Sequence, residues 1–173
     1  MKKITIHDIL QFKKYGKKFA TITAYDFTTT QIVEQAGIPL ILVGDSASMV
    51  IYGYDTTIPI TVEEMLFLIK AVSRASKSAL VVADMPFLSY QTSTADAIKN
   101  AGRLLKEGGA GAVKLEGGVQ IYKHIEQIVG FGIPVLGHVG LTPQSVNQLS
   151  GYSVQGKTPK EAQKIIDDAK ATE

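Results

Sequence analysis

Short runs of apolar, mostly β-branched residues recur along the chain, each followed by a polar residue and then a stretch whose apolar positions repeat at helical spacing. The runs at 19–24, 40–44, 79–83, 110–115 and 133–137 read as strands, and the stretches at 28–36, 62–75, 95–107 and 119–129 read as helices between them. The strand runs are apolar enough to be expected buried on both faces, which is the mark of a parallel sheet. Thr61 with Glu64, and Thr158 with Glu161 around Pro159, form capping boxes that start helices, while Gly37, Gly108 and Gly132 stand where helices should stop. A helix at 6–15 precedes the first strand and is expected to pack across one end of the sheet, and 159–171 begins a last helix. No linker or charge block interrupts the pattern, so residues 1–173 read as one α/β domain. Repeated βα units fit either an open doubly wound sheet or part of an eight-stranded barrel, a fold that takes about 250 residues when complete.

Four of the strand runs end on a chemically useful side chain: LILVGDS on Asp45 and Ser46, ALVVAD on Asp84, AVKLE on Glu116 and PVLGH on His138. In parallel α/β folds the C-terminal strand ends carry the functional face, because the βα loops gather there over a rigid floor. One such Asp alone would be read as a helix cap; three carboxylates and a histidine at successive ends are read as a site. Lys114 and Glu116 are two residues apart, so strand alternation turns both to one side, where a lysine in an apolar run needs a carboxylate or an anionic ligand. Two Asp and a Glu make an oxygen-rich set suited to a hard divalent cation, magnesium first and manganese second, with zinc disfavoured. His138 is read as a ligand, proton carrier or hydrogen-bond donor, whereas His7 and His124 read as surface residues. Tyr52, Tyr54, Phe87 and Tyr90 fall in loops after the second and third strands, where they either line a pocket or pack the loop.

Composition narrows the chemistry. With 18 Lys plus Arg against 16 Asp plus Glu the charge is close to neutral, so no nucleic-acid partner is expected. No apolar run approaches the roughly 18–20 residues needed to cross a bilayer, and His7 and Asp8 interrupt the basic Met1-Lys2-Lys3 start before a signal-like apolar region forms. A cytoplasmic location without a membrane partner is therefore expected. The absence of cysteine excludes disulfides, thiolate nucleophiles and thiolate metal sites. Gly44-Asp45-Ser46-Ala47-Ser48 lacks the last glycine of a nucleophile elbow, and no dinucleotide or P-loop glycine pattern occurs.

The stretches VGDSASMVIYGYDTTIPITVEEM (43–65), ADMPFLSY (83–90), AVKLEGG (112–118), GHVGLTPQSVN (137–147) and GYSVQG (151–156) closely resemble the ketopantoate (3-methyl-2-oxobutanoate) hydroxymethyltransferase family. The resemblance implies a (β/α)8 TIM barrel of the phosphoenolpyruvate/pyruvate type, with only about the first five βα units in this chain, assembled as a homo-oligomer that is a decamer in the family. It implies transfer of a one-carbon unit from 5,10-methylenetetrahydrofolate to the 2-oxo acid α-ketoisovalerate, giving ketopantoate for pantothenate biosynthesis. By motif position Asp45, Asp84 and Glu116 resemble the family's Mg2+ acids, Glu116 through water, and Ser46, Lys114, Asp45 and Asp84 its keto-acid contacts. His138 matches an active-site histidine with an orienting role. The family's proposed general base, a glutamate ending a sixth strand, would follow residue 173, and Glu173 does not take its place. Two further readings stay open: an inactive truncated fragment that binds metal and keto acid or joins full-length subunits, and a related carbon–carbon lyase or mutase. Relatives of the second kind usually rely on a cysteine loop.

Overall fold

The computed structural model describes residues 2–173, so Met1 of the basic start lies outside the described residues. Along the chain run α1 (Ile6–Lys14), β1 (Thr21–Thr23), α2 (Phe27–Gln35), β2 (Leu40–Val43), a single turn α3 (Ala47–Val50), α4 (Val62–Ala75), β3 (Leu80–Asp84) and α5 (Thr94–Lys106). These are followed by β4 (Ala112–Glu116), α6 (Tyr122–Gly130), β5 (Val135–His138), a 3-10 turn (Pro143–Ser145) and α7 (Pro159–Thr172). Among the described residues no helix is long and apolar enough to cross a membrane.

The five strands are all parallel and lie in the order β1-β2-β3-β4-β5. A doubly wound sheet must reverse its strand order at a switch point, whereas here every crossover steps in the same direction. The order is therefore that of five consecutive βα units of a (β/α)8 barrel.

Strand alternation divides the core in two. Ile41, Val43, Val81, Ala83, Val113 and Leu115 point to the helix side, where Met65, Ile69, Val72, Leu104 and Ile128 meet them in one buried cluster. Burying one such side chain is worth roughly 1.5–3 kcal/mol, so this layer dominates the stability of the fold. Leu40, Leu80, Val82 and Ala112 point the other way, and Ile4, Ile9 and Phe19 from the segments around α1 close over them. This places the first helix across one end of the sheet, as its position ahead of the first strand suggests.

Both expected capping boxes are present, Thr61 accepting from Glu64 N and Thr158 from Glu161 N, and a third at Thr5 and Asp8 starts α1. Three expectations need correction. β1 is shorter than the run 19–24 and exposed throughout, and β5 is only half-buried, because each is an edge strand with one neighbour. Burial on both faces holds throughout β3 and β4, and in β2 for all but the half-buried Leu42. α6 begins at Tyr122 and not near 119, since Gly117 takes a left-handed φ of 128° in the turn that leaves β4. At the end of α5 the left-handed residue is Gly109, with φ 80°, while Gly108 is needed for a different reason: a Cβ there would run into the carbonyl of Leu104.

Candidate active site

Parallel register sets the first part of the site. Asp84 pairs with Lys114 across β3 and β4, and Glu116 pairs with His138 across β4 and β5, so these four side chains share the inner face at the C-terminal strand ends. Lys114 Nζ lies 2.5 Å from Asp84 Oδ1 and 3.6 Å from Glu116 Oε1. β2 ends one residue before Gly44, and a Cβ at Gly44 would fall 2.8 Å from Ser46 Oγ and 3.7 Å from Asp84 Oδ2. The missing side chain lets the next turn fold inward, so that the Asp45 backbone N–H donates to Asp84 Oδ2 at 3.2 Å. Asp45, Asp84 and Glu116 thus meet at one mouth, each buried.

Charge is unbalanced there. Three buried carboxylates face one buried ammonium, a formal excess of two negative charges when all four groups are ionised. Burial, then the charge of Asp84, pushes the Asp45 carboxyl up to about 7 against the opposing pull of Gln144 and Lys114. Burial alone would lower Lys114, but Asp84, with Glu116 and Asp45, outweighs it and holds the ammonium above its usual value. Burial likewise pushes Asp84 up while Lys114 pulls it down. The 2.5 Å approach of Lys114 Nζ to Asp84 Oδ1 is the geometry of a charge-assisted hydrogen bond, and on balance burial leaves the Asp84 carboxyl above its ordinary range. For Glu116, burial raises the carboxyl, yet His138, Lys114 and the Gln144 backbone amide together leave it below its ordinary range. His138 Nδ1 is 3.2 Å from Glu116 Oε1 but off the line of a good hydrogen bond, and it has no other partner among the described residues.

A buried pocket in which three carboxyl groups face one ammonium suits a hard cation. Among the described residues no three carboxylate or imidazole groups form a ready-made cage for one. Lys114 stands between Asp84 and Glu116, and the Asp45–Asp84 pair is the oxygen set left for direct ligation. That set fits magnesium, which is usually bound through one or two carboxylates together with water and substrate oxygens.

The remaining contacts come from loops. Tyr25, just beyond β1, places its hydroxyl 2.7 Å from Ser46 Oγ. Gln144, in the 3-10 turn after β5, is buried between Asp45 and Glu116. Tyr90 is fully buried and its hydroxyl lies 2.9 Å from the Glu116 carbonyl and 2.8 Å from Gln144 Oε1.

All six residues read from the strand ends, Asp45, Ser46, Asp84, Lys114, Glu116 and His138, come to this mouth. Of the loop aromatics Tyr90 joins the network, whereas Tyr52 and Tyr54 are exposed. His7 is exposed as expected, but His124 is half-buried with Nδ1 2.9 Å from Thr94 Oγ1, in the seam between α5 and α6. Tyr25 and Gln144 went unread. Tyr25 could have been found by extending the strand-end rule to the first strand; Gln144 follows Pro143 in a loop whose return path only the tertiary fold determines.

Comparison with known proteins identifies the family. The family model described as ketopantoate hydroxymethyltransferase matches residues 3–173. The 3-methyl-2-oxobutanoate hydroxymethyltransferase of Carboxydothermus hydrogenoformans is 58% identical over 99% of this chain and 62% of its own length. The protein of the same name from Dehalococcoides mccartyi is 56% identical over 98% of this chain and 61% of its own. The chain therefore spans about three-fifths of the length of these curated relatives. Among solved structures, that of phosphonopyruvate hydrolase in complex with oxalate and Mg++ aligns with a TM-score of 0.70 at 14% identity, covering 97% of this chain and 59% of that one, a likeness of fold. With the family model covering all but the first two residues, the chain belongs to the ketopantoate hydroxymethyltransferase family.

Proposed function

We propose that this chain carries the 2-oxo acid and Mg2+ half of a hydroxymethyltransferase site, in a protein that transfers a one-carbon unit from 5,10-methylenetetrahydrofolate to 3-methyl-2-oxobutanoate to give ketopantoate. The observation that supports it most is the meeting of Asp45, Asp84, Lys114 and Glu116 in one buried, negatively charged mouth. Asp45 and Asp84 would hold the ion directly and Glu116 through water; bound there, Mg2+ supplies Lewis-acid polarisation of the keto acid. The chain's own groups bind and orient the oxo acid. Lys114 places a fixed positive charge where negative charge develops on the keto oxygen as the C3 proton leaves. Ser46, oriented by Tyr25 at 2.7 Å, donates to the substrate carboxylate. His138, held beside Glu116, orients the oxo acid from the β5 side. A cytoplasmic location belongs to the same reading. So does association with further copies: Ile22 and Leu136, on the two edge strands, are 47% and 40% exposed, and unpaired edges carrying apolar residues favour pairing.

A second reading has one observation in its favour. Every carboxylate at the mouth is already engaged, Asp84 by Lys114, Glu116 by the Gln144 amide and Asp45 by Gln144 Nε2, so none stands apart as a base for the C3 proton. Under it the chain binds metal and keto acid without transfer. Proton NMR of 3-methyl-2-oxobutanoate in deuterated water tests both. Magnesium-dependent line broadening with folate-dependent product supports transfer, and broadening alone supports binding without it. No broadening, or broadening unchanged in Asp45→Ala and Asp84→Ala, contradicts the site itself.

A further inference from the structure

We infer that Gln144 is the positioning residue of this site: it fixes the Asp45 carboxylate for cation binding and ties it to Glu116 across the mouth, an inference that rests on the metal reading above. The 3-10 turn after β5 begins at Pro143, whose fixed φ turns the chain back over the strand ends and drops the Gln144 side chain inward, 4% exposed. Its amide is used in full. Nε2 donates to Asp45 Oδ2 at 2.8 Å and to the Met85 carbonyl at 2.9 Å; Oε1 faces the Tyr90 hydroxyl at 2.8 Å and Gln91 Nε2 at 3.1 Å. Its backbone N–H donates to Glu116 Oε2 at 2.9 Å.

The orientation of this amide follows from chemistry. A carbonyl can only accept, so the NH2 group must face Met85, and the oxygen then faces the Tyr90 hydroxyl. Asp45 is thereby compelled to accept through Oδ2, which leaves Oδ1 as its oxygen for the mouth. A neutral donor is suited to this task. A lysine or arginine in the same place would orient Asp45 equally well, but its charge would cancel the negative excess that attracts a cation. Gln144 orients without neutralising, and because one residue holds acids from the β2 and β4 ends, it sets their separation as well. Groups that orient ligating carboxylates in this way typically contribute 10–100-fold to metal affinity.

The test uses Mn2+ as the probe, with its free concentration followed by electron paramagnetic resonance, on the intact chain and three variants. Gln144→Met keeps the shape and removes the amide; Gln144→Asn keeps the amide and shortens its reach; Leu104→Ala, in the helix-side core, matches a loss of stability without touching the mouth. Both Gln144 variants are expected to bind Mn2+ at least tenfold more weakly than the wild type, and Leu104→Ala to bind within about twofold of it. Folded Gln144 variants with wild-type affinity overturn the inference and leave the metal reading standing. Failure of both to fold makes Gln144 a purely structural residue and overturns it too. Absence of saturable Mn2+ binding in the wild type overturns the metal reading and this inference together.

Discussion

Replacing Glu34 by Gln should cost about 1–2 kcal/mol at neutral pH, and the cost should shrink as the pH falls. Glu34, near the end of α2, reaches the loop that enters β3. Its Oε1 accepts from Ser76 Oγ at 2.7 Å and Ala79 N at 2.8 Å, and its Oε2 from Ser78 Oγ at 2.6 Å and Ser78 N at 3.0 Å. Burial raises the carboxyl, but these hydrogen bonds outweigh it and bring it down to about 2 from an ordinary 4.5. At face value a depression of that size is worth roughly 3 kcal/mol; the group is partly open to solvent, and screening reduces this to about 1–2 kcal/mol. A folded value below the unfolded one means that the contribution is complete above 4.5 and disappears as pH drops through about 2. Near pH 3.5 the linkage contribution is smaller by about two-fifths, because the unfolded carboxyl is then mostly protonated. Glutamine keeps one acceptor oxygen and puts NH2 against donors, so the variant loses the charge-dependent part. Urea unfolding of wild type and Glu34→Gln at pH 7, 5 and 3.5 measures the difference directly, since other titrating groups cancel between the two proteins. A difference that is absent at pH 7, or that does not narrow by pH 3.5, refutes the reasoning.

Other outcomes follow from packing and capping. Gly118→Ala would drive a methyl into the Asp168 side chain, which accepts from Val119 N at 2.9 Å, and should loosen α7 by about 1–3 kcal/mol; limited proteolysis within 157–173 reports it, and adding Asp168→Ala should cost less than the two changes summed. Thr61→Ala removes the cap of α4 and should cost about 1 kcal/mol in urea unfolding. Leu104→Ala opens a void in the fully buried helix layer and should cost about 2–5 kcal/mol by the same assay. Tyr25→Phe frees Ser46 from its 2.7 Å partner and should weaken 3-methyl-2-oxobutanoate binding several-fold by NMR titration, with stability changed by no more than about 1 kcal/mol.

Much of the fold is legible because its signals are local. The α4 bounds at 62 and 75 are those of the structure, since Thr61, Glu64 and the apolar spacing lie within the segment itself. The acids at the ends of β2, β3 and β4 are legible for the same reason: alternation places Lys114 and Glu116 on one face, and parallel register brings Asp84 beside them. Burial of β1 and β5 is misread because an apolar run looks the same at the edge of a sheet as at its centre, and only strand order tells them apart. Gln144 escapes for a related reason. It lies 99 residues from Asp45 along the chain, and nothing near either residue records that they meet.

The central claim is that acids from the ends of β2 and β3 grip one divalent ion together with an oxo acid, and anomalous diffraction at the manganese edge tests it most directly. Crystals of the chain grown with Mn2+ and 3-methyl-2-oxobutanoate should give one strong peak within about 2.0–2.3 Å of carboxylate oxygens of both Asp45 and Asp84, with the oxo acid beside Lys114. A peak away from these two residues, or keto acid bound elsewhere, would contradict the account.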